Sequence, residues 1–136
     1  MINDLVFIAD GLGLQILNVS IPNSPVRIGN YSTADHPSVN IKVVNDIAYL
    51  AAYEIGLQIL NVSDPENIVM LNEFAAEMLI DVEVQNDLIF LSMHEYGLKI
   101  LRETWVEGSA NLSLPIISLV GILPMLFLVR KKRRKK

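Results

Sequence analysis

The sequence GLQILNVS occupies residues 56–63 and occurs in identical form at residues 13–20. A shortened copy, GLKIL, follows at residues 97–101, so the first glycines of the three copies lie 43 and 41 residues apart. The dipeptide Asn-Asp keeps the same spacing, at residues 3–4, 45–46 and 86–87. Two markers that return with one period indicate an internal repeat of about 42 residues.

Each repeat unit alternates between apolar and polar residues over short runs. In the middle unit Leu57, Ile59 and Val62 are apolar, whereas Gln58 and Asn61 are polar. This alternation predicts about four short antiparallel strands per unit, and units of this kind are typical of β-propeller blades. The expected fold class is therefore all-β. The predicted strands cover residues 5–10, 14–19, 26–31, 41–44, 47–52, 57–62, 68–74, 80–84, 88–93 and 98–101.

Glycine, asparagine and proline are expected to form the turns of the repeat. A glycine precedes one strand of each unit, where a turn between two strands requires a positive φ. Asn-Val-Ser-x-Pro ends that strand in the first two units, because proline removes a ladder donor and short polar side chains bond their own backbone. The residues assigned to these turns are Gly13, Gly56, Gly97, Asn18, Asn61, Pro22 and Pro65.

The order of these markers resembles the LVIVD repeat, which is found in bacterial and archaeal surface proteins expected to form β-propellers. The resemblance covers about residues 1–101, with two full copies and one partial copy. The chain departs from the family pattern at Asn18 and Asn61, where the family usually has Asp, and the third copy runs LRET at residues 101–104. The resemblance implies a propeller fold and a surface setting, and it brings no catalytic residues.

Residues 1–103 therefore form a predicted partial propeller of about two to three blades, whereas complete propellers typically have four to eight. We expect the chain to be the C-terminal part of a longer protein. The alternative is closure of the propeller by self-association.

The C-terminal residues predict a membrane anchor. A linker at residues 104–110 leads to a predicted transmembrane helix at residues 111–129, and residues 108–129 carry no charge. Those 22 residues would span about 33 Å as a helix, enough for a bilayer core of about 30 Å. A basic stop-transfer segment follows, which should remain in the cytoplasm and leave the repeats outside. It consists of Arg130, Lys131, Lys132, Arg133, Arg134, Lys135 and Lys136.

The C-terminal region allows three other interpretations. The apolar stretch could be a buried core helix, and the basic run alone could be a nuclear-localisation or nucleic-acid segment. The order of linker, apolar span and basic tail also resembles the sorting signals of prokaryotic surface proteins, some of which are cleaved and replaced by a lipid.

Composition limits the chemistry available to the rest of the chain. Without the seven tail residues, 4 of the 11 basic residues remain against 15 acidic ones, a net charge of −11 that argues against nucleic-acid binding. There is no cysteine, so disulfides and thiolate metal sites are excluded.

His36 and His94 are interpreted as solvated or hydrogen-bonded, and no metal or cofactor is expected. Asp10, Asp35, Asp64 and Glu54 are interpreted as turn residues rather than as a weak calcium site, and Asn30 is a candidate glycosylation site.

These observations predict a non-enzymatic, membrane-anchored surface protein whose propeller binds an extracellular protein or glycan. One alternative is the anchor end of a propeller enzyme whose catalytic residues lie upstream. Another is a structural spacer between the envelope and the membrane.

Overall fold

The computed structural model of the chain describes residues 4–107 and 113–123, and the regular structure in these ranges is entirely β-strand. The strands form three antiparallel sheets, which confirms the predicted all-β, blade-like architecture. The strands are β1 (Leu5–Asp10), β2 (Gly13–Asn18), β3 (Val26–Ser32), β4 (Ser38–Val44), β5 (Ile47–Ala52), β6 (Gly56–Asn61), β7 (Val69–Phe74), β8 (Leu79–Gln85), β9 (Leu88–Met93), β10 (Gly97–Glu107) and β11 (Ser113–Leu123).

The sheets correspond to the sequence repeats. Blade 1 contains β1–β3, blade 2 contains β4–β7 and blade 3 contains β8–β11, and strands adjacent in sequence are adjacent in each sheet. The Asn-Asp markers make β1, β5 and β9 equivalent, and the glycine markers make β2, β6 and β10 equivalent. In the described part of the chain, blade 1 thus has the equivalents of the last three strands of blade 2.

The Asn-Asp dipeptides at residues 45–46 and 86–87 are two-residue turns, which join β4 to β5 and β8 to β9. Asn45 and Asp46 have φ values of +49° and +62°, the left-handed values that a type I′ hairpin turn requires. A backbone hydrogen bond to the turn aspartate then marks one equivalent position in every blade. It runs from Val19 to the Asp4 carbonyl (2.6 Å), from Val62 to that of Asp46 (2.9 Å) and from Glu103 to that of Asp87 (2.8 Å).

The hydrophobic core lies between the blades rather than within one sheet. We call the side of a blade that faces the next blade its front face, and the opposite side its back face. Leu50 on the back face of blade 2 packs in one cluster with Leu14 and Ile16 of blade 1. Ile59 on the front face of blade 2 packs in a second cluster with Leu91 of blade 3. Because β5 is covered on both sides, the run IAYLAA is apolar throughout instead of strictly alternating.

The C-terminal strands differ from the sequence prediction. β10 continues to Glu107, into the predicted linker, and Ser113–Leu123 pairs with it as β11. A charge-free run that is rich in Leu, Ile and Val suits an edge strand as well as a membrane helix, which is why its sequence does not decide between them. Of the predicted helix at residues 111–129, residues 111–112 and 124–129 lie outside the described residues, so the transmembrane helix stays a prediction. Residues 4–107 and 113–123 contain no helix that could span a bilayer.

Replacing Gly56 by Ala should lower the free energy of unfolding by about 1–3 kcal/mol. Gly56 has a φ of +96°, and a Cβ there would collide with the backbone of Phe74 and Ala76. Gly11 is the matched control, because a Cβ at that position meets nothing within 4 Å. Chemical denaturation of the two variants measures the difference, and equal stabilities would contradict the turn assignment.

Candidate functional site

The two ends of the blades differ in how strictly their turns repeat. At one end, the repeated-turn end, the Asn-Asp dipeptide recurs in all three units and forms the hairpin turns at residues 45–46 and 86–87. At the other, the variable-turn end, the turns before Gly13, Gly56 and Gly97 read Gly-Leu at residues 11–12, Tyr-Glu-Ile at 53–55 and His-Glu-Tyr at 94–96. The connections between blades, residues 33–37 and 75–78, also lie at this end and differ in length. The turns that precede the repeat glycines therefore vary between blades, whereas at the other end the Asn-Asp dipeptide is constant and the loops after Asn18 and Asn61 share Val-Ser-x-Pro.

The variable-turn end is acidic and contains a cleft between blades 2 and 3. The cleft has a volume of about 360 Å³ and is lined by Ala75, Glu77, Met93, Tyr96 and Lys99. Tyr96 is 54% exposed, and the Lys99 ammonium lies 5.6 Å from the centre of the Phe74 ring. The acidic side chains at this end are Asp10, Asp35, Glu54, Glu77 and Glu95. The cleft itself thus combines the Tyr96 ring with one carboxylate, Glu77, and one ammonium group, Lys99, whereas the excess of carboxylates belongs to the whole variable-turn end.

The predicted repeat-turn residues lie at both ends of the blades. Gly13, Gly56 and Gly97 each begin a strand at the variable-turn end, with φ values of +132°, +96° and +85°. At the repeated-turn end the Asn18 and Asn61 side chains each accept a hydrogen bond of 2.9 Å from the backbone of the serine two residues later. An Asp side chain would accept the same bond, so asparagine and aspartate are interchangeable at this turn.

The two prolines lie in the loops that follow these asparagines. The carbonyl of Pro65 faces Gly29 of blade 1 so closely that a Cβ on Gly29 would collide with it. Pro22 lies in the equivalent loop of blade 1, between β2 and β3. The seven basic tail residues, 130–136, lie outside the described residues.

The candidate histidines and acidic turn residues make local contacts. Nδ1 of His36 lies 3.1 Å from Oε2 of Glu54, and both side chains are exposed. Nδ1 of His94 lies 3.8 Å from Oε1 of the adjacent Glu95. Asp10 and Asp64 accept hydrogen bonds from the backbone of residues two positions later, at 2.8 and 3.1 Å. Among the described residues, no three His, Asp or Glu side chains form a group that could hold a metal ion.

Tyr49 and Glu103 form a buried polar contact that sequence reasoning missed. The Tyr49 hydroxyl donates a 2.6 Å hydrogen bond to Oε2 of Glu103 across the boundary between blades 2 and 3. Glu103 is only 6% exposed, and its other oxygen, Oε1, is buried with no hydrogen-bond partner. The pair borders a cavity of about 320 Å³ that Asn45 and Asn86 also line. Buried polar groups are normally satisfied, so the unpartnered Oε1 of Glu103 is an exception.

The environment of this pair raises the pKa of both side chains. Burial raises the pKa of Glu103, and the hydrogen bond from Tyr49 opposes that rise only in part. Burial and the neighbouring carboxyl together raise the pKa of Tyr49. Both groups therefore hold their protons more tightly in the folded chain than in the unfolded chain.

The repeat itself contains the signal that would have found this pair. Phe7 and Phe90 occupy the positions of Tyr49 in the other two blades, and Val19 and Val62 occupy the position of Glu103. At the boundary between blades 1 and 2, Phe7 packs against the cluster that contains Val62. One apolar contact in the repeat has thus been replaced on both sides by a matched polar pair.

Comparisons with protein families, curated proteins and solved structures found no match to this chain. The fold that is shown is an all-β arrangement of three small antiparallel sheets. The LVIVD resemblance remains a prediction from the repeat motif.

Proposed function

We propose that the chain is a non-enzymatic, single-pass protein of the cell surface, in which LVIVD-like propeller blades form a binding module. The contrast between the two ends of the blades supports this proposal. The repeated-turn end preserves its Asn-Asp turns, whereas the turns of the variable-turn end change from blade to blade. Loops that vary on a constant scaffold are the usual location of a binding surface.

The direction of β10 suggests which end faces a ligand. β10 begins at the variable-turn end with Gly97 and continues past the repeated-turn end to Glu107. In this proposed topology residues 113–123 leave the edge of blade 3, where they pair with β10 as β11, and form part of a membrane helix at residues 111–129. That helix would place the repeated-turn end next to the bilayer and the variable-turn end outward. The basic segment at residues 130–136 favours retention in the cytoplasm, because translocating each charge against a membrane potential costs about 2.3 kcal/mol per 100 mV.

The charge of the variable-turn end narrows the class of ligand. Five carboxylates lie at this end, and the cleft beside Tyr96 includes one of them, Glu77. Carboxylates and an aromatic ring attract Lys and Arg side chains. We therefore propose an extracellular protein with a basic contact region as the ligand.

Cysteine labelling on intact cells tests both the topology and the binding end. Because the chain has no cysteine, single cysteines at Leu12, at Ile21 and after Lys136 can be compared directly. Leu12 and Ile21 are 68% and 65% exposed, at the variable-turn and repeated-turn ends of blade 1. A membrane-impermeant maleimide should label the first two variants and spare the third. A maleimide photocrosslinker should then capture a partner from position 12 and not from position 21.

Two results would contradict the proposal. Labelling of the cysteine after Lys136 with protection of the other two would place the repeats in the cytoplasm, as a scaffold. Equal capture of a partner from positions 12 and 21 would remove the assignment of the binding surface to the variable-turn end.

A further inference from the structure

The boundary between blades 2 and 3 contains a carboxyl group that the equivalent boundary between blades 1 and 2 lacks. Between blades 1 and 2 the equivalent contact is apolar, with Phe7 packed against the cluster that contains Val62. Between blades 2 and 3 that contact is replaced by Tyr49 and Glu103. Because the same packing of blades forms with apolar side chains, stability alone does not explain the buried carboxyl group.

The Glu103 side chain has bonding capacity that the described residues leave unused. Its Oε2 accepts the hydrogen bond from Tyr49, whereas its Oε1 is buried and has no hydrogen-bond partner among the described residues. Burial raises the pKa of this carboxyl, which is the expected effect of removing a carboxylate from water without a counter-ion. A positively charged group beside Oε1 would stabilise the ionised form.

A cavity large enough for a small ligand lies beside this carboxyl group. Its volume is about 320 Å³, at the lower end of the range of about 300–1,000 Å³ that small-molecule sites occupy. Glu103 contributes a carboxylate to the lining, and the turn residues Asn45 and Asn86 contribute side-chain amides. Three apolar side chains also contribute to the lining, namely Val44, Ile47 and Val84.

We infer that this cavity binds a primary ammonium group carried on a short alkyl chain. An ammonium group has one positive charge and three N–H donors, and it needs acceptors only. Glu103 offers it a carboxylate oxygen, Asn45 and Asn86 offer amide oxygens, and the apolar lining suits the methylene groups. A divalent metal ion fits less well, because among the described residues no three His, Asp or Glu side chains form a group that could hold one.

The test uses the full chain, purified in a mild non-ionic detergent, and follows the methyl signals of Val44, Ile47 and Val84 by NMR. The probe is n-butylamine, which is protonated at neutral pH and has the head group and chain length of a lysine side chain. It should shift these signals in a saturable manner. The matched neutral probe is 1-butanol, which has the same chain without the charge and should cause no saturable shift.

Two variants that each remove one negative charge locate the binding. Glu103→Gln keeps an oxygen for the Tyr49 hydroxyl and removes the charge, so the affinity for n-butylamine should fall by about tenfold or more. Glu66→Gln removes a charge from an exposed loop at the same end of the blades, and its affinity should equal that of the wild-type chain. Asn86→Gly removes one amide, tolerates the φ of +57° at that turn, and should weaken binding severalfold.

A second probe, N-acetyl-lysine amide, identifies the source of the ammonium group. A saturable shift with both probes would assign the cavity to a lysine side chain, and a shift with n-butylamine alone would assign it to a free amine. Equal shifts with 1-butanol, wild-type affinity in Glu103→Gln, an equal loss in Glu66→Gln, or no saturable shift would each overturn the inference. None of these results bears on the proposed topology or on the ligand of the variable-turn end, because the cavity lies beside the repeated turns.

Discussion

Replacing Tyr49 by Phe should lower the free energy of unfolding by about 1–3 kcal/mol, although it removes only one hydroxyl group. The Tyr49 hydroxyl is the donor that the structure shows for Glu103, whose Oε1 already lacks a partner. Without that hydroxyl both carboxyl oxygens of a side chain that is 6% exposed would be unsatisfied. A buried polar group that loses its partner costs the chain its full desolvation penalty.

The double variant Tyr49→Phe with Glu103→Val should recover the wild-type stability or exceed it. It recreates at the boundary of blades 2 and 3 the Phe7 and Val62 combination found between blades 1 and 2. Apolar replacement of a buried polar pair is often neutral or stabilising, whereas removal of one partner is costly. Urea denaturation of the wild-type chain, both single variants and the double variant gives the coupling energy. A double variant as unstable as Tyr49→Phe would show that the pair is not the origin of the effect.

The repeat predicted the blades because its markers have a direct structural meaning. Gly56 requires a positive φ, and Asn45-Asp46 forms a hairpin turn, so the spacing of these residues determines where strands begin and end. The predicted strands at residues 5–10, 47–52 and 88–93 coincide with β1, β5 and β9. These strands directly follow an Asn-Asp dipeptide, so the dipeptide fixes the residue at which each strand begins.

The remaining features lie where the repeat ends or where its copies differ. The third copy loses Val-Ser-x-Pro, so its sequence contains no marker for the end of the strand. The predicted strand ends at residue 101, whereas β10 extends to Glu107. The polar pair required a comparison of single positions between copies, since Tyr49 and Glu103 are 54 residues apart and neither is unusual alone. The cleft at Tyr96 depends on how two blades pack, which the periodicity of one strand does not specify.

The pH dependence of stability provides an independent measure of the same pair. Burial raises the pKa of Glu103 in the folded chain above its unfolded value of about 4.3. Between those two pKa values the unfolded chain releases the proton while the folded chain keeps it, so the folded chain binds more protons. Stability should therefore be greatest below the unfolded pKa and should fall as the pH rises through the folded pKa. The raised pKa of Tyr49 adds a second loss of stability above about pH 10, for the same reason.

The double variant Tyr49→Phe with Glu103→Val should remove both losses. The measurement is the difference in free energy of unfolding between the wild-type chain and this variant, followed from pH 4 to pH 11, in which other titrations cancel. Glu83→Gln is the control, because Lys42 lowers the pKa of that exposed carboxyl and its contribution has the opposite sign, lost as the pH falls. The expected size follows from the pKa of Glu103. For each unit by which that pKa is raised, the stability of the wild-type chain relative to the variant should fall by about 1.4 kcal/mol between pH 4 and neutral pH. A difference that stays constant between pH 4 and pH 8 would mean that Glu103 titrates alike in the folded and unfolded chain, and the buried-carboxyl account of this interface would then be wrong.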